Sequence, residues 1–194
     1  MILVLDTETT GKVDRYMPPD HESQPHLVQI GLILAEPEHL IERASFCAIV
    51  RPEGYEIPAE ASAIHGITTE IATHSGLPLR TILAIFDRFV RPASVLVAHN
   101  IEFDLGVLET AHLRLGMGTV DGVIGDRKLC CTMKAATPIC RIPHANPRTP
   151  EDWKWPKLEE CIRFFFDEDF QAHDALSDAR ACLRIFGAID ADPP

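Results

Sequence analysis

The chain opens on Ile2-Leu3-Val4-Leu5, an unbroken apolar run that stops at Asp6. Such a run predicts a strand over residues 1–6 that is buried on both faces. Residues 11–26 then change character, with Gly11, Pro18, Pro19, Asp20, Ser23 and Pro25 marking an irregular connection. Residues 27–34 and 44–50 read as a second and a third strand, the latter closed by Arg51-Pro52-Glu53-Gly54. With no long helix between them, the three predict an antiparallel meander. The rhythm then becomes helical. Short helical turns are expected over 59–65 and from Thr68 onward, and residues 79–90 are amphipathic at helical spacing. A fourth strand is predicted over 94–98, a helix over 102–115 and a last short strand over 128–131. Residues 139–156 carry Pro143, Pro147, Pro150 and Pro156 and read as a long loop. Helices over 158–166 and 175–189 close the chain. Three strands followed by alternating helices and strands predict a mixed α/β layer fold with one sheet.

Composition narrows the class. The 194 residues suffice for one full domain, and no linker divides them, so 1–194 is expected to be a single unit. A fraction of 46% apolar and 24% charged residues excludes a disordered chain, a collagen and a coiled coil. The longest apolar run, 27–35, contains Gln29 and Gly31 and is too short to span a membrane. The start of the chain has neither a basic region nor a small-residue cleavage site, so no signal peptide is expected. Cys47, Cys130, Cys131, Cys140, Cys161 and Cys182 show no C-x-x-C spacing, which predicts reduced, mostly buried thiols in a cytoplasmic protein and no structural zinc site. Eighteen Lys and Arg against 29 Asp and Glu give a net charge of −11. That balance argues against a broadly basic nucleic-acid-binding surface. A polyanionic partner would need metal ions and local basic patches to carry the attraction.

Three clusters could carry chemistry. Asp6-Thr7-Glu8-Thr9-Thr10-Gly11 places two carboxylates at i and i+2 at a strand end, hence on one face. Acids beside an apolar strand need a partner, and oxygen ligands suit a hard divalent cation such as magnesium or manganese; exposed acids at a strand turn fit the same pattern. His99-Asn100-Ile101-Glu102-Phe103-Asp104 follows a predicted strand and opens a predicted helix, with Asn100 as N-cap and Asp104 in the first turn. Open α/β sheets place ligands at that edge. In His173-Asp174-Ala175-Leu176-Ser177-Asp178-Ala179, a histidine precedes an acid by five residues where a helix starts, which makes His173 a candidate general base.

Taken in order, these motifs resemble the DEDDh family of 3′→5′ exonucleases, which includes the proofreading subunits of bacterial replicative polymerases and ribonuclease T. D-x-E-T-T-G stands at residues 6–11, H-N-x-x-F-D at 99–104 and H-x-x-x-x-D-A at 173–179, and a fourth family-like stretch runs from Ile57 to Thr68. The resemblance covers nearly the whole chain. It implies a ribonuclease H-like α/β fold, whose mixed sheet has three antiparallel strands, then parallel ones, flanked by helices. It implies that Asp6, Glu8, Asp104 and Asp178 hold two magnesium or manganese ions, with His173 as general base. It also implies that Thr9, His65 and Phe103 line a pocket for the terminal nucleotide. The expected reaction is phosphodiester hydrolysis at single-stranded 3′ ends of DNA, with RNA as the alternative substrate. Two dications would offset four carboxylates, so the substrate phosphate is not repelled. A polymerase partner stays open, and a non-catalytic docking module is disfavoured by the intact acids and His173.

Two regions depart from the family's usual form. Lys12 is followed by a long connection over 13–26. Trp153-Lys154-Trp155-Pro156-Lys157 lies in the proline-rich stretch, where an aromatic clamp under the loop is favoured over base stacking. Arg141, Arg148, Lys154 and Lys157 could form the one basic patch, and a solvated loop fits them equally. His21, His26, His39, His74, His112 and His144 are expected to be surface or satisfied residues.

Overall fold

A computed structural model describes residues 1–149 and 152–191. Pro150, one of the prolines on which the predicted loop rests, lies outside them. The first three strands are β1 (Ile2–Thr9), β2 (Leu27–Ala35) and β3 (Glu42–Ile49), and they form the expected antiparallel meander. Helices α1 (Ala59–His65), α2 (Thr69–Ser75) and α3 (Leu79–Val90) follow, then β4 (Val95–Ala98), α4 (Ile101–Arg114), α5 (Val120–Ile124), β5 (Lys128–Cys131), α6 (Thr132–Cys140), α7 (Leu158–Phe166) and α8 (Ala175–Ala191). The strand order is β3-β2-β1-β4-β5, with β4 parallel to β1 and β5 parallel to β4. This is the ribonuclease H-like mixed sheet that the motifs imply.

Strand alternation sorts the core into two layers. Leu3 and Leu5 of β1 join Ile30 and Leu32 of β2 and pack against Ile82 and Phe86 of α3 and Val107 and Leu108 of α4. Ile2 and Val4 point the other way and meet Ile33, Ala35, Cys161 and Ile162 of α7, and Ala179, Cys182 and Ile185 of α8. Side chains at even positions of β1 thus face α8. Because β1 runs to Thr9, three residues beyond the predicted end, Asp6 and Glu8 lie inside the strand, on that same face.

Gly31 sets how closely α8 can approach. It pairs with Asp6 across the β1–β2 ladder, and a Cβ there would stand 2.3 Å from the carbonyl oxygen of Ala175. Only a glycine leaves room for the first residue of α8 to lie against the sheet. Gln29, two residues back on the same face, completes the seat. Its Oε1 accepts from the Ala175 N–H at 3.0 Å and its Nε2 donates to Asp174 Oδ1 at 3.3 Å.

The sequence pattern misses two helices. α5 has five residues with Gly122 inside and Gly118 and Gly125 close by, and it stands on the Thr119 cap, whose Oγ1 accepts from the Gly122 N–H at 3.2 Å. α6 carries Pro138 in its last turn. A proline there removes one N–H and crowds the carbonyl four residues back, which hides the helix in the sequence and ends it in the structure. Arg141 follows in a left-handed conformation at φ 48°.

The proline-rich loop is held by backbone more than by aromatic packing. Pro143 and Trp153 form an isolated antiparallel bridge, and the Lys154 N–H donates to Ile142 O at 2.9 Å. Trp155 is 55% exposed, so the expected clamp is not formed by that ring. Two of the four basic residues there are paired with acids: Lys154 with Glu160 at 2.5 Å and Lys157 with Glu159 at 3.3 Å. Cys140, Cys161 and Cys182 are buried, Cys130 and Cys131 half-buried, and Cys47 is exposed. Among the described residues no helix is long and apolar enough to cross a membrane.

Gly31→Ala should destabilise the fold by about 1–3 kcal/mol, the usual cost of forcing an extra methyl into a packed contact. Gly11→Ala, where a Cβ meets nothing within 4 Å, should stay within about 0.5 kcal/mol of wild type. Urea unfolding of both variants beside the wild type measures the difference.

Candidate active site

Three chain segments converge at the C-terminal edge of β1 and β4. β1 supplies Asp6 and Glu8. The first turn of α4, directly after β4, supplies Asp104. The approach to α8 supplies His173, and its first turn supplies Asp178. Glu8, Asp104 and Asp178 are all buried, at 9%, 2% and 5% exposure, while His173 is exposed.

Local bonding holds each group in place. Thr7, on the opposite face of β1 from the acids beside it, donates its hydroxyl to Asp104 Oδ1 at 2.8 Å. Asp174 caps α8, with Oδ2 accepting from the Ser177 N–H at 3.1 Å and the Ser177 hydroxyl at 2.6 Å. Asp178 Oδ2 accepts from the His173 N–H at 2.9 Å. His173 holds this geometry with a left-handed backbone at φ 88°, a conformation that non-glycine residues adopt rarely and that gathers at functional sites. The other carboxylate oxygen, Asp178 Oδ1, is buried with no hydrogen-bond partner.

Burial raises the proton affinity of all four carboxylates, and at Asp6 and Glu8 the neighbouring acids add to it. Asp6 is pushed well above the ordinary carboxylate range by burial first and then by Asp104, Asp178, Glu8 and Asp174. Glu8 rises to about 7 by burial and by the charges of Asp178, Asp104 and Asp174. Burial takes Asp104 to about 7 against the pull of its Thr7 hydrogen bond. Asp178 reaches about 6 through burial, opposed by the His173 N–H. A set of buried acids that cannot all be charged at neutral pH is a site built for cations. The orphaned Asp178 Oδ1 and the donor set fit a divalent metal. One ligand atom each from Glu8, His173 and Asp178 lies within 4.8 Å of the others. This grouping takes in His173, so geometry offers the imidazole as a ligand as well as a base.

Beside the acids lies a cleft of about 410 Å³. Its lining includes Glu8 and His173 together with the three residues expected to hold a terminal nucleotide, Thr9, His65 and Phe103. Thr9 Oγ1 donates to Gly11 O at 2.6 Å. His65 Nδ1 accepts from the Ile67 N–H at 3.1 Å, which puts its proton on Nε2, a buried nitrogen without a partner. Ile64, 58% exposed and also in the lining, offers an apolar face that the sequence reading passed over; its place beside His65 in the family-like stretch was the available signal. Asp174 was passed over too, although its charge reaches Asp6, Glu8 and Asp178.

Two motif residues act otherwise than expected. Asn100 stands at the N-cap of α4, but at φ 79° and with no capping bond from its side chain. His99 is a structural tie. Its Nε2 donates to Pro156 O at 3.0 Å and its Nδ1 meets the Thr132 hydroxyl at 3.0 Å, fastening the proline-rich loop to the end of β4. The remaining histidines include His112, fully buried and bonded to Leu108 O and Asp87, and His26, stacked on Tyr55 with ring centroids 3.7 Å apart.

With this geometry in hand, comparison with known proteins defines the class. The chain matches the RNase T exonuclease family over residues 3–186 and belongs to it. A Mycobacterium tuberculosis protein provisionally named a bifunctional exonuclease/endonuclease is 29% identical over 192 residues, covering 96% of this chain and 26% of its own length. A Rhodobacter capsulatus protein named DNA polymerase III subunit epsilon-like is 34% identical over 114 residues, 59% of this chain and 15% of that protein. The structure of Escherichia coli exonuclease I with a dT13 oligonucleotide shares the fold at TM-score 0.76 and 19% identity, covering 97% of this chain and 40% of that one. The chain thus spans about a quarter of the Mycobacterium relative and two fifths of the exonuclease I chain.

A carboxyl whose folded-state pKa exceeds its unfolded value stabilises the fold at low pH, and that contribution is lost as pH rises through the folded value. With Glu8 and Asp104 at about 7, the metal-free protein should gain Tm as pH falls from 8 to 6.5. Below about 6.5 the gain is opposed by His26, whose pKa burial lowers to about 4 and which therefore favours the unfolded, protonated state. Glu8→Gln should flatten the rise. Thermal melts of both proteins in chelator across this window check it; equal slopes would show that Glu8 does not titrate with the fold.

Proposed function

We propose that residues 1–194 form a single exonuclease domain that hydrolyses single-stranded 3′ ends, DNA by preference, in the 3′→5′ direction and releases nucleoside monophosphates. The observation that carries this reading is the gathering of four carboxylates of raised pKa beside a cleft that Glu8 and His173 line together with Thr9, His65, Ile64 and Phe103. Its volume of about 410 Å³ lies in the range of small-ligand sites. In support, the exonuclease I structure with the same fold holds an oligothymidylate.

Asp6, Glu8, Asp104 and Asp178 would hold two magnesium or manganese ions, which supply acidity to the attacking water and positive charge to the phosphate. His173, exposed at the cleft, is placed to accept the proton from that water. The Asp178 carboxylate fixes the His173 backbone and so aims the imidazole. Phe103 and Ile64 offer apolar faces to the terminal base, with His65 in the cleft wall beside them. A base held this way must leave a duplex first, at a cost of a few kcal/mol, so unpaired ends are favoured. The name of the Rhodobacter relative makes a polymerase the protein partner to look for.

End-labelled single-stranded DNA and RNA, assayed side by side with magnesium, manganese or chelator, test the reading. Asp6→Ala and Asp178→Ala should each lower the rate by on the order of 10³ or more, the effect of losing several kcal/mol of metal-borne stabilisation. His173→Ala should lose about 10²–10⁴ and recover partly at higher pH, where more hydroxide is present. If His173→Ala instead abolishes the manganese-induced rise in Tm as fully as Asp6→Ala does, the imidazole is a ligand. Rapid cutting of circular single-stranded DNA would replace the exonuclease reading with an endonuclease.

A further inference from the structure

A second cleft of about 580 Å³ adjoins the first and shares Lys12 and Phe103 with it. The rest of its lining is Val13, Arg15, Asn100 and Glu102. Lys12, Val13 and Arg15 belong to the long connection between β1 and β2, one of the two regions that depart from the family's usual form.

The connection is firmly built. Gln24 is 3% exposed; its Oε1 accepts from the Asp14 N–H at 3.0 Å, and its Nε2 donates to Asp14 O, Met17 O and Pro18 O at 2.8–3.2 Å. Arg114 of α4 reaches Pro25 O at 3.0 Å and Gln24 O at 2.6 Å from the other side. This bonding holds the turn that carries Lys12 and Arg15 beside the cleft.

The cleft is a basic spot on a protein of net charge −11. Among the described residues, neither Lys12 nor Arg15 has an ion-pair partner. The nearby acids are already engaged: Glu102 pairs with Lys134 at 2.5 Å, and Asp14 Oδ1 accepts from the Tyr16 N–H at 2.9 Å. Arg15 is still close enough for its charge to lower the Glu102 pKa, after the larger effect of Lys134. The Asn100 side chain, released from capping by its left-handed backbone, is another polar group in the lining. Tyr16 is 96% exposed, an uncovered aromatic ring on the same turn.

We infer that this cleft binds the phosphodiester backbone of the strand upstream of the terminal nucleotide, through Arg15, Lys12 and Asn100, with Tyr16 offering a face to an upstream base. The inference rests on the proposed function and adds to it the reason an acidic protein retains a polyanion. An extended strand leaving the first cleft past Phe103 enters the second, where its phosphates meet unpaired cations. Contact with backbone alone carries no sequence information, so the grip is indifferent to base sequence.

Binding of fluorescein-labelled (dT)12, followed by anisotropy in chelator where the strand stays uncut, tests this with wild type, Arg15→Glu, Arg15→Lys, Tyr16→Ala and the charge-change control Arg88→Glu, which lies outside both clefts. Arg15→Glu should weaken binding at least about tenfold and reduce the slope of log affinity against log salt by about 0.7 for each phosphate it no longer neutralises. Arg15→Lys should keep the slope, and Arg88→Glu should bind as wild type. Tyr16→Ala should weaken binding with the slope unchanged, as removal of a stacking face does. Competition by dT2 should be far weaker than by dT6 on wild type and nearly equal on Arg15→Glu. Wild-type affinity and slope in Arg15→Glu, or an equal weakening for dT2 and dT12, would overturn the inference. Arg15-dependent binding by a wild type that cuts no 3′ end would leave the cleft standing and remove the exonuclease; cutting without Arg15 dependence would do the reverse.

Discussion

The burial of four carboxylates in one place is the constraint that the rest of the structure answers. Burial raises the pKa of Asp6, Glu8, Asp104 and Asp178, their neighbours' charges add to it at Asp6 and Glu8, and three of the four are nearly out of contact with water. Left to itself, such a set would spread apart. The fold holds it with parts that carry no charge into the site. Gly31 lets α8 rest on the sheet, Gln29 binds the first N–H of that helix, and Thr7 holds Asp104. Asp174, itself charged, caps the turn that presents Asp178. These parts come from β1, β2 and the start of α8, so the site exists only when the sheet and its helical layers are assembled. Stability given up at the acids is recovered in the apolar layers on either side of β1.

Much of this is legible in the residue pattern, and the illegible parts share a cause. β1 to β3 read clearly because their apolar runs are bounded by Pro, Gly and Asp clusters. α1, α3, α7 and α8 read clearly because their periodicity is helical. α6 does not, because Pro138 in its last turn looks like a breaker from outside and is a terminator from inside. The candidate acids could be chosen from spacing and resemblance, since a strand puts i and i+2 on one face whatever surrounds it. The supporting residues could not. Gly31 and Gln29 look like ordinary strand residues until α8 is placed on top of them, and their part is set by contacts with residues more than 140 positions away.

Charge gives the same lesson in reverse. The basic residues that stand closest in sequence to Trp153 and Trp155 suggest a patch, yet Lys154 and Lys157 are paired with Glu160 and Glu159. Lys12 and Arg15, inconspicuous in a loop of prolines and acids, are cations that have no ion-pair partner among the described residues and stand next to the cleft. Clustering in sequence counts positive residues without counting their partners. What matters to an incoming phosphate is which cations still lack a carboxylate once the chain has folded.

The same reasoning explains how a chain of net charge −11 can suit a polyanion. At physiological salt the Debye length is about 8 Å, so distant surface acids are largely screened from a bound strand and the groups lining its path dominate. On the proposed path the buried acids would be offset by bound cations, and the next cleft presents Lys12 and Arg15. A strand on the proposed path would meet these two cations just beyond the acids, and their availability follows from which side chains the fold leaves without ion-pair partners.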